Sequence, residues 1–88
     1  MDKYQRAKQV LNTLSKENPD ALTAQGLEEA LIGVVRRCGR PTLACYDVDL
    51  CLRVLERDMS PEQAREFFDF NVSGSWVGEN TPVFLTRG

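Results

Sequence analysis

The sequence predicts an α+β domain with about four helices around one core and a short two-stranded β element. Three observations predict this class. Apolar residues recur at three- and four-residue spacing over most of the chain, proline and glycine separate these stretches, and two short apolar segments, 42–46 and 82–86, have no helical phase. The chain contains no repeat and no linker, so a single domain over 1–88 is expected. The alternative is an all-α fold whose irregular C-terminal tail packs across the helices.

The first two helices are predicted over 1–17 and 23–38. Apolar residues of the first helix share one face: Tyr4, Ala7, Val10, Leu11 and Leu14. Asn18 ends this helix, because the residue before Pro19 avoids helical backbone angles. Thr23 is the expected N-cap of the second helix. The second helix is predicted from a similar stripe: Leu27, Ala30, Leu31, Val34, Val35 and Cys38.

The third and fourth helices are predicted over 47–58 and 60–72. Asp47 is a suitable N-cap for the third helix. Ser60 and Gln63 have the spacing of a capping box at the start of the fourth helix. The inward face of the third helix is expected to carry Val48, Cys51, Leu52 and Leu55. The inward face of the fourth helix is expected to carry Ala64, Phe67, Phe68 and Val72.

The segment 73–88 is predicted to be a turn-rich tail with one strand at 82–86, paired with 42–46. Two glycines interrupt any helical pattern in its first half. Trp76 is interpreted as a packed aromatic residue, with a partner-binding hot spot as the alternative. Asn71 falls on the inward phase of the fourth helix, so its amide is expected to anchor the tail.

The residue types exclude several kinds of chemistry. The sequence has no histidine, which excludes Ser-His and Cys-His catalysis and Cys/His metal sites. Cys38, Cys45 and Cys51 are seven and six residues apart, unlike the close pairs of a zinc site. They are interpreted as reduced side chains packed as small hydrophobes, with a reactive thiol as the alternative. We therefore expect no enzyme activity, no metal and no cofactor.

The distribution of hydrophobic and charged residues bears on location and partners. No apolar run approaches the ~20 residues of a membrane-spanning helix, and the first residues lack the apolar stretch of a secretory signal. These features predict a cytoplasmic protein without a membrane partner. The formal net charge is −2 and most bases are scattered, which disfavours nucleic acid as a partner. An acidic face offered to a basic protein is compatible with this balance.

Two groups of charged residues are candidate binding sites. The first is an acidic stripe at helical spacing, formed by Glu62, Glu66 and Asp69. It is interpreted as either a solvated helix face or an acidic docking surface, to which Trp76 and Glu79 are added as partner-binding candidates. The second would hold a small ligand such as a nucleotide signal, and it uses the clustered cations Arg36, Arg37 and Arg40.

Several short motifs carry a resemblance to other proteins: Ala30-Leu31-Ile32-Gly33, Tyr46-Asp47, Met59-Ser60 with Ala64, and Phe68-Asp69-Phe70-Asn71-Val72 followed by Gly74, Trp76-Val77-Gly78-Glu79 and Thr81-Pro82. With these motifs, the chain beyond its first helix resembles a family of small uncharacterised proteins of bacteriophages and bacterial genomes. The family has no activity to transfer. Its phage origin implies a protein that binds a host machine and blocks it, as anti-CRISPR and other counter-defence proteins do. Within that interpretation Asn71, Trp76 and Glu79 are expected to matter.

The leading hypothesis is therefore a small, non-enzymatic, phage-derived protein that interferes with a host protein complex in the host cytoplasm. One alternative is an oligomeric small-ligand binder, and another is a structural or regulatory accessory protein.

Overall fold

The computed structural model describes residues 2–87. Its elements in chain order are α1 (Lys3–Glu17), a 3-10 turn (Glu28–Ala30), β1 (Leu31–Val35), β2 (Leu43–Asp47), α2 (Val48–Leu55), α3 (Pro61–Phe67), a π-helical turn (Phe68–Val72) and β3 (Val83–Leu85). The predicted α+β class is confirmed. Over the described residues, however, three α-helices accompany a three-stranded sheet, in place of four helices and two strands.

The sheet has the order β1-β2-β3. The predicted pairing of the segments 42–46 and 82–86 is confirmed, because Cys45 lies opposite Val83 in a parallel arrangement. The third strand, β1, pairs with β2 in an antiparallel arrangement and places Val35 opposite Leu43. The helices α2 and α3 lie in the connection between the two parallel strands.

The predicted helix over 23–38 is wrong. Its first half is loop and a single 3-10 turn, and its second half is β1. The helical spacing arose because buried residues of two different elements, Leu27 in the loop and Leu31 in the strand, fall in the same phase. The strand itself is rich in β-branched residues, which favour extended backbone. Gly39, with a φ of +74°, lies in the turn that follows β1.

The helix α1 packs mainly against β1. Its predicted end at residue 17 is confirmed, and within the described residues it begins at Lys3, after the extended N-cap Asp2. Its buried face consists of Ala7, Val10 and Leu14. The wider predicted stripe is only partly correct, because Tyr4 and Leu11 are exposed.

The predicted caps of the two later helices are confirmed. Asp47 accepts a hydrogen bond from the backbone N–H of Leu50 at 2.9 Å. Ser60 accepts from the N–H of Gln63 at 3.2 Å, and the Gln63 side chain accepts from the N–H of Ser60 at 3.1 Å. Both caps join residues only three apart, which is why sequence alone identifies them. The predicted helix over 47–58 is shorter than expected and ends at Leu55.

The predicted helix over 60–72 changes character at Phe68, where α3 gives way to the π-helical turn. Ser73 donates its N–H to the carbonyl oxygen of Phe68 at 2.8 Å, across five residues instead of four. The wider turn rotates the residues after it relative to an α-helix. The inward position predicted for Asn71 is consequently wrong, because Asn71 is exposed. Phe67 was also expected inside and is 41% exposed.

The cysteines differ in their surroundings. Cys45 and Cys51 are buried and free, as expected for packed hydrophobes, whereas Cys38 is exposed in the turn after β1. The expectation that all three are packed is therefore wrong for Cys38, because the helix that was to bury it does not form. Burial is the main cause that raises the pKa of the Cys51 thiol to about 12. Within residues 2–87, no helix is both long enough and apolar enough to cross a membrane.

Candidate functional site

The tail reaches the core through Phe84 on β3. The Phe84 ring stacks on the Tyr46 ring with centroids 5.8 Å apart, and it meets the Phe68 ring edge-on at 5.4 Å. Aromatic pairs in these geometries stabilise a fold beyond their buried area. Phe84 therefore fixes the end of the tail between β2 and the π-helical turn.

Asn80 holds the tail to the end of α1 and to the loop that follows it. Its carbonyl oxygen accepts from the N–H of Leu22 at 3.0 Å. Its side chain accepts a hydrogen bond from the Asn18 amide at 2.9 Å, and the same amide donates to the carbonyl of Thr42. The anchoring role predicted for Asn71 thus belongs to Asn80, whose contacts lie far away in sequence.

A groove of about 590 Å³ opens between the loop 22–27, the end of α2, the π-helical turn and the tail. Most of its wall is apolar, and Val54, Leu55 and Phe84 are among the residues that line it. Asp58 is the charged residue that lines it among those described. Cavities of this size and apolar character commonly bind ligands or partner side chains.

Large apolar side chains surround this groove on its solvent side. Phe67 and Val77 line it and are 41% and 64% exposed. Phe70 is 75% exposed and borders an adjoining cleft with Phe67 and Met59. Trp76 is 76% exposed and lies between the groove residues Ser75 and Val77, so its predicted packing in the core is wrong. We call Met59, Phe67, Phe70, Trp76 and Val77 the aromatic patch.

The segment 58–79, which carries the aromatic patch, is acidic. It contains five acidic side chains and one basic one, Arg65, for a net charge of −4. The remainder of the chain is net positive, since the whole carries −2. Arg65 forms an ion pair with Asp69 at 3.4 Å, and both partners remain half exposed. An ion pair this exposed contributes little to stability. The segment remains negative because Arg65 is already included in its net charge of −4.

The predicted acidic residues do not all lie together. Glu62, Glu66 and Asp69 are exposed along α3 and the π-helical turn, and Glu66 lines the cleft beside Phe70. Glu79 lies elsewhere, in an ion pair with Arg40 at 3.8 Å. The structure therefore places Glu66 beside the aromatic patch, with Glu62 and Asp69 exposed on the same helical segment, and places Glu79 at a separate cavity.

The three clustered arginines are also divided. Arg36 donates to both carboxylate oxygens of Glu17 and thereby lowers the pKa of that carboxyl below its ordinary value. Arg37 and Arg40 line a different cavity of about 220 Å³. This volume lies below the usual range for small-molecule sites, about 300–1,000 Å³. In the described part of the chain, the three arginines do not surround one cavity.

Sequence reasoning missed Met59, Phe67, Phe70 and Val77 as surface residues. For the phenylalanines the sequence does indicate exposure, because Phe67, Phe68 and Phe70 cannot all point inward from one helix. The loop 22–27 could not be recognised as a groove wall, since it was assigned to a helix. Among residues 2–87, no group of three or more acidic or cysteine side chains is placed to hold a metal ion.

Comparison with known proteins gives no relative: no family model matches the chain, and no curated protein or solved structure is significantly similar to it.

Proposed function

We propose that the chain is a non-enzymatic binding protein that uses its aromatic patch and the adjoining groove to cover a surface of another protein. The observation that carries this proposal is the exposure of Phe70 and Trp76, each about three-quarters open to solvent, beside an apolar groove. Exposed apolar patches of this kind mark interaction sites, and large aromatic side chains are typical binding hot spots.

The expected occupant is a protein segment with bulky apolar side chains flanked by lysine or arginine. Apolar side chains suit the groove, whose lining includes Val54, Leu55 and Phe84. Basic flanks suit the net charge of −4 on the segment 58–79. A small molecule confined to the groove would leave Phe70 and Trp76 uncovered, which favours a protein partner.

The resemblance to phage and bacterial proteins supports a host protein complex as the partner. Complexes that bind nucleic acid present basic channels to it. An acidic segment that carries exposed aromatic side chains is suited to such a surface. Interference with a nucleic-acid-guided defence complex, in the manner of an anti-CRISPR protein, is consistent with these properties and is part of the proposal.

The test is affinity capture from host lysate, followed by titration calorimetry with the purified captured protein. Trp76→Ala and Phe70→Ala are each expected to weaken binding by about tenfold or more, as hot-spot truncations do. The control is Leu11→Ala, because Leu11 is 40% exposed on α1, outside the segment 58–79. It is expected to leave affinity unchanged.

A second pair of variants tests the charge. Reversal of Glu62 and Glu66 to lysine is expected to slow association and to reduce its dependence on salt. The matched control reverses two exposed acids outside the segment, Asp20 and Asp49. Equal binding by the aromatic variants, the charge-reversal variants and their controls would refute the proposal. Loss of binding in the Leu11→Ala control would also refute it.

A further inference from the structure

The fold gathers four cations around one carboxylate on the other flank of α2. Lys3 and Arg6 come from α1, Arg53 from α2 and Arg57 from the turn that follows it. They line a cleft of about 330 Å³ together with Glu29, Leu50 and Val54. We call Lys3, Arg6, Arg53 and Arg57 the basic cluster. The sequence does not reveal it, because Lys3 and Arg6 are separated from Arg53 and Arg57 by about fifty residues.

The members of the basic cluster differ in their internal partners. Arg57 and Lys3 both form ion pairs with Glu29, the latter at 3.1 Å. Arg6 donates to the backbone carbonyl oxygens of Glu29 at 2.8 Å and Leu31 at 3.2 Å. Arg53 is exposed and forms no ion pair with any described residue. Glu29 neutralises one of the four positive charges, and three remain in excess.

The excess charge persists over the physiological pH range. Hydrogen bonds from Arg57 and Lys3 hold the pKa of Glu29 at about 2. Glu29 is therefore ionised at neutral pH and sets one negative charge against the four positive ones. Arg53 in α2 and Arg57 in the turn after it line the same cleft. The planar guanidinium of Arg53 matches the oxygens of a phosphate in a bidentate arrangement, whereas Arg57 donates from two nitrogens to Glu29.

We propose that this cleft binds a compact phosphate-bearing anion, with Arg53 as its main ligand and with Arg57 and Lys3, which Glu29 holds at the cleft, as further ligands. Arg6 acts as a positioning residue that ties α1 to the 3-10 turn and β1. The site is distinct from the aromatic patch and does not require the function proposed above.

The surroundings favour a compact anion over a nucleic acid. The cleft and the apolar groove share Val54 as a lining residue, so the acidic segment 58–79 begins directly beside the basic cluster. An extended polyanion that leaves the cleft on this side would meet Asp58 and the acidic face of α3. A mono- or diphosphate fits within the cleft and avoids that repulsion.

The test titrates the full-length protein with inorganic pyrophosphate, with ADP and with a single-stranded 20-mer DNA, by calorimetry and by two-dimensional NMR. Pyrophosphate is expected to bind and to shift the amide signals of residues 3–6 and 50–57. If ADP binds comparably, the ligand of the cleft can be a nucleoside diphosphate. If only pyrophosphate binds, the ligand is a free phosphate anion.

Matched variants separate a site from general electrostatic attraction. Arg53→Gln is expected to lower pyrophosphate affinity about tenfold, since a charge-assisted contact is lost. Arg65→Gln removes the same charge from the acidic side and is expected to have no effect. Equal weakening in both variants would overturn the proposal, and so would tighter binding of the DNA per phosphate.

The substitution Glu29→Gln is an independent test, because it is expected to raise the affinity for pyrophosphate, whereas Arg53→Gln lowers it. Release of Lys3 and Arg57 from Glu29 is expected to tighten pyrophosphate binding severalfold, provided that a denaturation curve shows the variant folded under the assay conditions. Unchanged or weaker binding by the folded variant would contradict the role assigned to the basic cluster.

Discussion

Glu29 links two elements of the molecule through charged contacts. Its carboxylate meets Lys3 of α1 and Arg57 beyond α2, and it accepts a hydrogen bond from the Tyr4 hydroxyl at 3.3 Å. Both cationic partners are about half exposed, so salt screens these contacts. The hydrogen bond from Arg57 is the largest cause that lowers the pKa of Glu29 to about 2 from 4.5.

This shift predicts how stability depends on pH. A carboxyl whose pKa is lower in the folded than in the unfolded state stabilises the fold above its unfolded pKa. We expect wild type to be more stable than Glu29→Gln at pH 7, and the difference to shrink as the pH falls from about 4.5 towards 2. Urea denaturation midpoints of both proteins at pH 7 and at pH 3 measure this. If the two proteins differ in midpoint by the same amount at pH 7 and at pH 3, the lowered pKa of Glu29 is contradicted.

Gly74 permits the close approach of the tail to the π-helical turn. A Cβ atom at this position would lie 2.5 Å from the carbonyl oxygen of Asp69, which belongs to the backbone and cannot rotate away. We expect Gly74→Ala to lower the free energy of unfolding by about 1–3 kcal/mol, as overpacking does. Gly33→Ala is the control for an added methyl group, because nothing lies within 4 Å of that Cβ position. Equal effects of the two substitutions on thermal denaturation would show that the tail does not pack here as described.

At the scale of secondary-structure elements, the capping box of α3 depends on one side chain. Ser60→Ala removes the acceptor for the Gln63 N–H and is expected to cost about 1 kcal/mol of unfolding free energy. Ser15→Ala in the exposed interior of α1 is the control, since alanine is a better helix former there. A denaturation midpoint for Ser60→Ala that matches the control would contradict this helix start.

Elements with local determinants could be predicted from sequence, whereas β1, whose determinant is distant, could not. The starts of α2 and α3 follow from Asp47 and Ser60, whose hydrogen bonds reach only three residues. By contrast, β1 was read as a helix, because its identity depends on pairing with β2 rather than on its own spacing. The strand pair β2–β3 was found because neither segment had a competing helical phase.

The candidate site shows the same division. The acidic face of α3 was recognised because Glu62 and Glu66 have helical spacing. Phe70 lies about 200° from Phe68 even in a regular α-helix, so its exposure follows from helical spacing alone. The exposure of Asn71 does not, because the π-helical turn changes the phase after Phe68. The basic cluster and the loop wall of the groove were missed because they depend on the tertiary fold.

At the scale of the whole molecule, two surfaces of opposite charge meet along α2. The apolar groove and the acidic segment 58–79 lie on one side, and the basic cluster lies on the other, with Val54 lining both cavities. This arrangement allows one short protein to bind a basic partner segment and an anion at adjacent sites. The central claim of the account is that the partner covers the aromatic patch.

Site-specific photo-crosslinking tests this claim most directly. Benzoylphenylalanine is placed at position 70, within the aromatic patch, or at position 11 on exposed α1, and each protein is irradiated with its purified partner. The account predicts a crosslink at position 70 that excess unlabelled wild-type protein suppresses, and none at position 11. A crosslink at position 11 without one at position 70 would contradict it.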